Sequence, residues 1–159
     1  MKYLSQFALF VLIGISLTAH AGSTDLTGLK LPCVTFKSGK LIQKTTCTVL
    51  DGIESGNAFG VGVDMVLKPA KAPNARKPIH ITHRITNKTH PDGSVMYDDD
   101  YNLVIENIKS TLNDTLATMH YRHNRTLTIM NDNPDLTHYH CFVSKQNKGF
   151  DEFCFVRRF

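Results

Sequence analysis

Four cysteines constrain the fold of this 159-residue chain more than any other feature. They form two pairs that are close in sequence, Cys33 with Cys47 and Cys141 with Cys154. An even number of cysteines in an exported chain predicts disulfides, and four cysteines allow three pairings. We expect the two local pairings, because each pair flanks a predicted hairpin. The alternative is that one cysteine of each pair joins the first strand to the last.

The second pair fits its hairpin directly. A turn centred on Asn147-Lys148, with Gly149 free to take positive φ, places Cys141 opposite Cys154 on neighbouring strands. The pattern therefore predicts a disulfide across one cross-strand pair.

The first pair fits less well. A turn at Ser38-Gly39 places Cys33 opposite Lys44 rather than opposite its expected partner. The disulfide then requires a β-bulge near Thr45-Thr46, or a wider turn centred on Lys40.

The first residues have the order of an export signal. Lys2 precedes the apolar run from Phe7 to Leu17, and Ala19-His20-Ala21 offers small side chains where a signal peptidase cuts. The run is shorter than the ~20 residues of a membrane-spanning helix. We predict a cleavable signal peptide at 1–21, a single disulfide-stapled β domain at 22–159, and no transmembrane helix after cleavage. The expected location is periplasmic or secreted.

The remaining sequence is rich in Thr, Asn and Asp, which favours strands and turns over helices. Apolar residues alternate from Ala58 to Lys68 and again from Ile79 to Ile85, the period of a strand with one buried face. Four more strands are predicted, at Leu116–Tyr121, Arg125–Met130, Leu136–Val143 and Asp151–Val156. The fold class is therefore mainly β, an antiparallel sandwich or small barrel with at most one helix and two disulfides.

One segment fits two structures. Tyr101, Ile105, Ile108 and Leu112 have the spacing of a helix stripe, with acidic residues 98–100 at its N-terminus. Tyr101 and Ile105 also fit a strand, with Leu103 between them. We favour a helix from about Asp99 to Leu112.

Histidines give the sharpest candidate for a metal site. His138 and His140 are two residues apart on a predicted strand, so both project from one face. His120 on a neighbouring strand would supply a third imidazole, a ligand set suited to zinc or copper. The alternative is ordinary hydrogen bonding by exposed histidines, in which case no cofactor is expected.

Enzymatic activity has little support. His120, His123, His138, His140 and Arg122 could serve as acid and base in a small secreted ribonuclease if they converge. The chain has no G-x-S-x-G nucleophile motif and no glycine-rich phosphate loop, so nucleotide use is not expected. Its basic residues are scattered, which disfavours nucleic acid as a partner.

The leading hypothesis is a non-enzymatic binding module that acts on a protein partner. We expect the partner at Pro-stiffened polar loops, at Asn87–Gly93 and at 68–78, where the basic residues are Lys68, Lys71, Arg76 and Lys77. In outline, an exported β domain with hairpin-flanking cysteines resembles periplasmic inhibitors of lysozyme and periplasmic immunity proteins. That resemblance implies an inhibitor or immunity-type role and matches no motif residue by residue.

Overall fold

The computed structural model describes residues 22–70, 77–131, 137–147 and 149–157, and the regular structure in these ranges is β throughout, without a helix. No helix in them is long and apolar enough to cross a membrane. The predicted signal peptide, 1–21, lies outside the described residues. The strands are β1 (Gly22–Asp25), β2 (Lys30–Lys37), β3 (Lys40–Asn57), β4 (Gly60–Pro69), β5 (Ile79–Asn87), β6 (Ile105–Leu112), β7 (Thr115–Arg122), β8 (Ile129–Met130), β9 (Tyr139–Val143) and β10 (Glu152–Val156).

Eight of these strands close into an antiparallel barrel in which sequence neighbours pair with each other. The order runs from β2 through β3, β4, β5, β6, β7 and β9 to β10, and β10 pairs with β2 to close the wall. The short strand β1 pairs with the far end of β3, and β8 pairs with β7. Of the two predicted architectures, an antiparallel sandwich or a small barrel, the structure has the barrel.

Two apolar clusters lie on opposite sides of the wall. The larger one fills the barrel interior and includes Met65, Leu67, Ile81, Leu112 and Phe153, all fully buried. The smaller one lies on the outer face and includes Val34, Phe36, Tyr139, Cys141, Cys154 and Val156, with Leu127 packed against it. The strands where the clusters meet, β2, β9 and β10, therefore read as continuous apolar runs instead of alternating ones.

Both local disulfides are present, as expected. Cys141 and Cys154 are directly paired on β9 and β10, with a Cα–Cα distance of 4.0 Å. Cys33 is opposite Thr45, and its disulfide runs diagonally to Cys47 with a Cα–Cα distance of 5.9 Å. The expected bulge exists, but it lies nearer the turn than predicted, because the register shift between Thr35 and Phe36 leaves Ile42 as the extra residue.

The predicted helix from about Asp99 to Leu112 is wrong. Residues Ile105–Leu112 form strand β6, paired with β5. A bulge opposite Thr86 and Asn87 puts Ile105 and Ile108 on the same face although they are three residues apart. This bulge reproduces a helical spacing within a strand.

The other predicted strands match with shifted ends. Ala58–Lys68 corresponds to β4 and Ile79–Ile85 to β5, whereas Arg125–Met130 contracts to the two residues of β8. The residues between β7 and β8 form a turn in which Leu127 donates its amide hydrogen to the His123 carbonyl.

Candidate functional site

The three predicted metal ligands are not brought together. His120 is paired with Cys141 across β7 and β9, so it lies on the outer face. His140 lies one residue from Cys141 and faces the interior, where its ring stacks against Phe155. His138 precedes β9, and its ring contacts that of His123, with centroids 5.1 Å apart. The imidazoles predicted to bind one ion are therefore on both sides of the barrel wall.

His120 instead belongs to a buried charge network with Arg122 and Glu152. Its Nε2 is 2.9 Å from Oε1 of Glu152, and Arg122 donates from Nη2 to Oε2 of Glu152 at 2.8 Å. Burial tends to raise the pKa of Glu152, but the hydrogen bonds and charges of Arg122 and His120 lower it below its ordinary value. The carboxylate therefore stays ionised.

This network also contains a group with metal-ligand spacing. Ligand atoms of His120, Cys141 and Glu152 lie within 4.8 Å of one another. The sulfur of Cys141 is in a disulfide, so it cannot act as a thiolate ligand. Arg122 forms hydrogen bonds with both oxygens of the Glu152 carboxylate. The network therefore links β7 to β10.

Among the described residues, His83 and His140 face the barrel interior. His83 Nδ1 is 2.8 Å from the Ser110 hydroxyl, and burial lowers its pKa. Burial, and secondly the charge of His83, lower the pKa of His140 to about 4. Nε2 of His140 is buried and has no hydrogen-bond partner. Both rings are therefore neutral at pH 7.

His80 lies on the outer face between two carboxylates. Its Nε2 is 2.8 Å from Asp64 and its Nδ1 is 3.0 Å from Asp114. The hydrogen bond to Asp64 is the main cause of a raised pKa at His80. A surface depression of about 480 Å³ lies beside this cluster, and Asp64, Arg84 and the half-exposed Phe59 contribute to its lining.

Exposed apolar side chains concentrate in one stretch of the chain, which we call the 97–108 surface. Tyr101 is 87% exposed, and its companions are 40% to 55% exposed. These companions are Tyr97, Leu103, Ile105 and Ile108. Large apolar residues that remain exposed together mark an interaction site more often than a structural one.

The segment that presents Tyr101 is held in place by hydrogen bonds. Asp98 accepts bonds from the backbone amides of Asp100 and Asn102 at 3.0 and 2.8 Å. The hydrogen bond from the backbone amide of Asn102 lowers the pKa of Asp98, against an opposing effect of burial. Tyr101 has φ of 62°, an uncommon conformation for a bulky residue. Tyr101 is thus held in one strained position, pointing into solvent.

Next to this segment, β6 has a free edge. It pairs with β5 along its length, but its pairing with β7 covers only Ser110–Leu112. Within the described chain, residues 105–109 have no strand on the side away from β5, and all five are exposed. An unpaired strand edge offers backbone donors and acceptors to another chain.

The predicted partner loops are placed only in part. Lys68 and Lys77 are exposed, whereas Lys71 and Arg76 lie outside the described residues. Asn87 is buried and donates to the Ala58 carbonyl at 2.9 Å, so the accessible part of the second loop begins after it.

Sequence reasoning missed the 97–108 surface. Its signal was the group of large apolar residues that was assigned to a helix stripe.

Comparison with known proteins gives no match to a family model, a curated protein or a solved structure.

Proposed function

We propose that this chain is an exported, non-enzymatic binding module that recognises a protein partner through the 97–108 surface. The observation that carries the proposal is Tyr101, which is 87% exposed although its backbone is strained. Strained residues persist where the surrounding structure holds them, and they cluster at functional sites. Tyrosine supplies a large, rigid contact area with a polar tip, and is enriched where proteins bind each other.

The free edge of β6 supports the same proposal. It runs directly on from the Tyr101 segment, so apolar side chains and unpaired backbone groups lie side by side. An extended segment of a partner can pair with residues 105–109 while its side chains contact Tyr97 and Leu103. Recognition of this kind needs no cofactor.

The predicted location fits such a role. Two disulfides indicate an oxidising compartment. Together with the predicted signal peptide, they support a periplasmic or secreted protein. An inhibitor or immunity-type action is the form of binding that we propose. A metal-binding or ribonuclease role is the alternative. The histidines predicted to bind a metal lie on both sides of the barrel wall, which does not favour it.

Capture with the oxidised protein tests the proposal. The tagged protein is incubated with periplasmic and extracellular fractions, in parallel with Tyr101→Ala and the control Leu116→Ala. Leu116 is also exposed, at the β6–β7 hairpin away from the 97–108 surface. We expect one protein to be retained by the wild type and by Leu116→Ala, and to be lost with Tyr101→Ala. Equal retention by all three, or no retained protein, contradicts the proposal.

A further inference from the structure

The inward-facing side chains of β4, β5 and β6 form rows at successive heights in the barrel. Since cross-strand neighbours share a face, each row can be followed through the strand register. The deepest row is fully buried and consists of Met65, Ile81 and Leu112. The next row consists of Val63, His83 and Ser110. The third row consists of Val61, Ile85 and Ile108, and beyond it β5 and β6 contribute the pair Asn87 and Ile105.

Exposure rises along these rows on β4 and β6, whereas on β5 the inward-facing residues end at the buried Asn87. In the second row Val63 and His83 are partly exposed and Ser110 is buried, and in the third row Val61 is 49% and Ile108 is 55% exposed. Inward-facing side chains reach solvent where the interior is open, which here includes the barrel end and the free edge of β6. An eight-stranded barrel is either filled by side chains or holds one small ligand. This barrel is filled at one end and open at the other, with an apolar lining at the open end.

An aromatic row lies across the interior from the second row, because the ring of His83 contacts Phe142 on β9, two residues from His140, with centroids 6.0 Å apart. Tyr121, His140 and Phe155 are cross-strand neighbours on β7, β9 and β10. The His140 ring lies edge-on to Tyr121, with centroids 5.1 Å apart. Its Nε2 is buried without a hydrogen-bond partner. A buried polar atom of this kind usually has a water or a ligand as its partner.

The charges at this level are balanced. Glu54 is opposite Val63 in the strand register, and it forms an ion pair with Arg157. His83 and His140 are neutral at pH 7, because burial lowers the pKa of both. A ligand in this space therefore meets no net charge from these four side chains, and it finds one unsatisfied imidazole nitrogen.

We propose that the open end of the barrel binds a small neutral amphipathic molecule with an aliphatic or aromatic body and one hydroxyl or carbonyl group. The apolar body packs against Val61, Ile85 and Ile108. The polar group forms a hydrogen bond with Nε2 of His140. This site shares Ile108 with the 97–108 surface. The partner proposal is carried by Tyr101 and the free edge of β6, so failure of the barrel site would leave that proposal intact.

Fluorescence titration of the oxidised protein with N-phenyl-1-naphthylamine tests the site. The chain has no Trp, so protein emission does not interfere with the probe. We expect saturable binding of one probe with Kd of about 1–10 μM, and displacement by 1-decanol. Ile108→Lys places a charge in the apolar lining, so we expect probe binding to weaken at least about tenfold. The control Leu116→Lys, on the outside of the barrel, leaves binding unchanged.

His140→Phe tests the hydrogen bond separately, by displacement of the probe with 1-decanol and with 1-chlorodecane. We expect the affinity for decanol to fall about tenfold, as for one lost hydrogen bond. Chlorodecane, which has no hydroxyl group, should bind as before. Circular dichroism shows whether each variant is folded. If Ile108→Lys is unfolded, Val61→Lys is used in its place. Absence of saturable probe binding to the wild type means that water alone satisfies His140, and overturns the proposal. Unchanged binding in the folded lysine variant, or equal loss of both displacers in His140→Phe, also overturns it.

Discussion

Arg122 and Glu152 form a two-point ion pair that is buried on the outer face of the barrel. Arg122 also donates to the Leu127 carbonyl at 2.7 Å, and its guanidinium lies 4.2 Å from the centre of the Phe36 ring. Leu127 in turn packs on the outer cluster that contains the Cys141–Cys154 disulfide. The pair therefore ties the turn after β7 to β2 and β10 and shields this disulfide from water.

Removing one partner of this pair should destabilise the fold strongly. Glu152→Leu leaves the Arg122 guanidinium buried without a counter-charge, so we expect the free energy of unfolding to fall by about 3–5 kcal/mol. The double variant Arg122→Met with Glu152→Leu removes both charges and should lose much less. Urea unfolding of the oxidised proteins measures both. A single variant as stable as the double one would show that the pair is not buried as described.

The buried ring of His140 should make stability depend on pH. The pKa of His140 is about 4 in the folded protein, compared with an ordinary value of 6.5 in the unfolded chain. Between these values the unfolded chain binds a proton that the folded chain does not, so stability falls as the pH decreases from 6.5 to 4. We expect His140→Phe to remove about 1–3 kcal/mol of this loss, measured by urea unfolding at pH 7 and pH 4.5. Identical pH dependence in the variant and the wild type would contradict the burial of this ring.

The contact between β4 and β5 at Gly60 leaves no room for a side chain. A Cβ atom at Gly60 would lie 2.2 Å from the backbone oxygen of Ile85. At Gly62, on the same strand, the nearest atom would be 3.6 Å away, an ordinary contact. We expect Gly60→Ala to lose about 1–3 kcal/mol and Gly62→Ala to change stability by less than about 0.5 kcal/mol. Thermal unfolding compares them, and equal melting temperatures would argue against the register of β4 and β5.

The interior disulfide should contribute strongly to stability. Cys33 and Cys47 are separated by 14 residues and lie in the main core. Closing a loop of this length restricts the unfolded chain by about 3 kcal/mol. We expect Cys33→Ala with Cys47→Ala to lose about that amount in guanidinium unfolding. A loss below about 1 kcal/mol would show that the loop-closure argument fails for this pair.

The sequence predicted the fold class well because its clearest signals come from regular strands. Met65 and Leu67 are buried and alternate with the less buried Asp64, Val66 and Lys68 along β4, as the sequence pattern predicted. The local disulfides were also predictable, since each one spans neighbouring antiparallel strands. The errors occur where a bulge changes which residues share a face. Ile42 shifts the register of the first hairpin, and the bulge in β6 gave Ile105 and Ile108 a helical spacing.

The candidate sites were less predictable, because they depend on which strands are neighbours and in what register. His138 and His140 were assigned to one face, but nothing local indicated that His120 lies on the opposite side of the wall. The row of Tyr121, His140 and Phe155 depends on pairing between three strands. Such pairing leaves no trace in a single sequence.

Hydrogen exchange at β6 tests the proposed partner binding most directly. In the free protein, the amides of Ile105–Lys109 that point away from β5 have no partner strand and should exchange rapidly. We predict that these amides become protected when the captured partner is bound, together with those around Tyr101, while the β6–β7 hairpin near Leu116 is unchanged. Rapid exchange of residues 105–109 in the complex would contradict recognition through this edge.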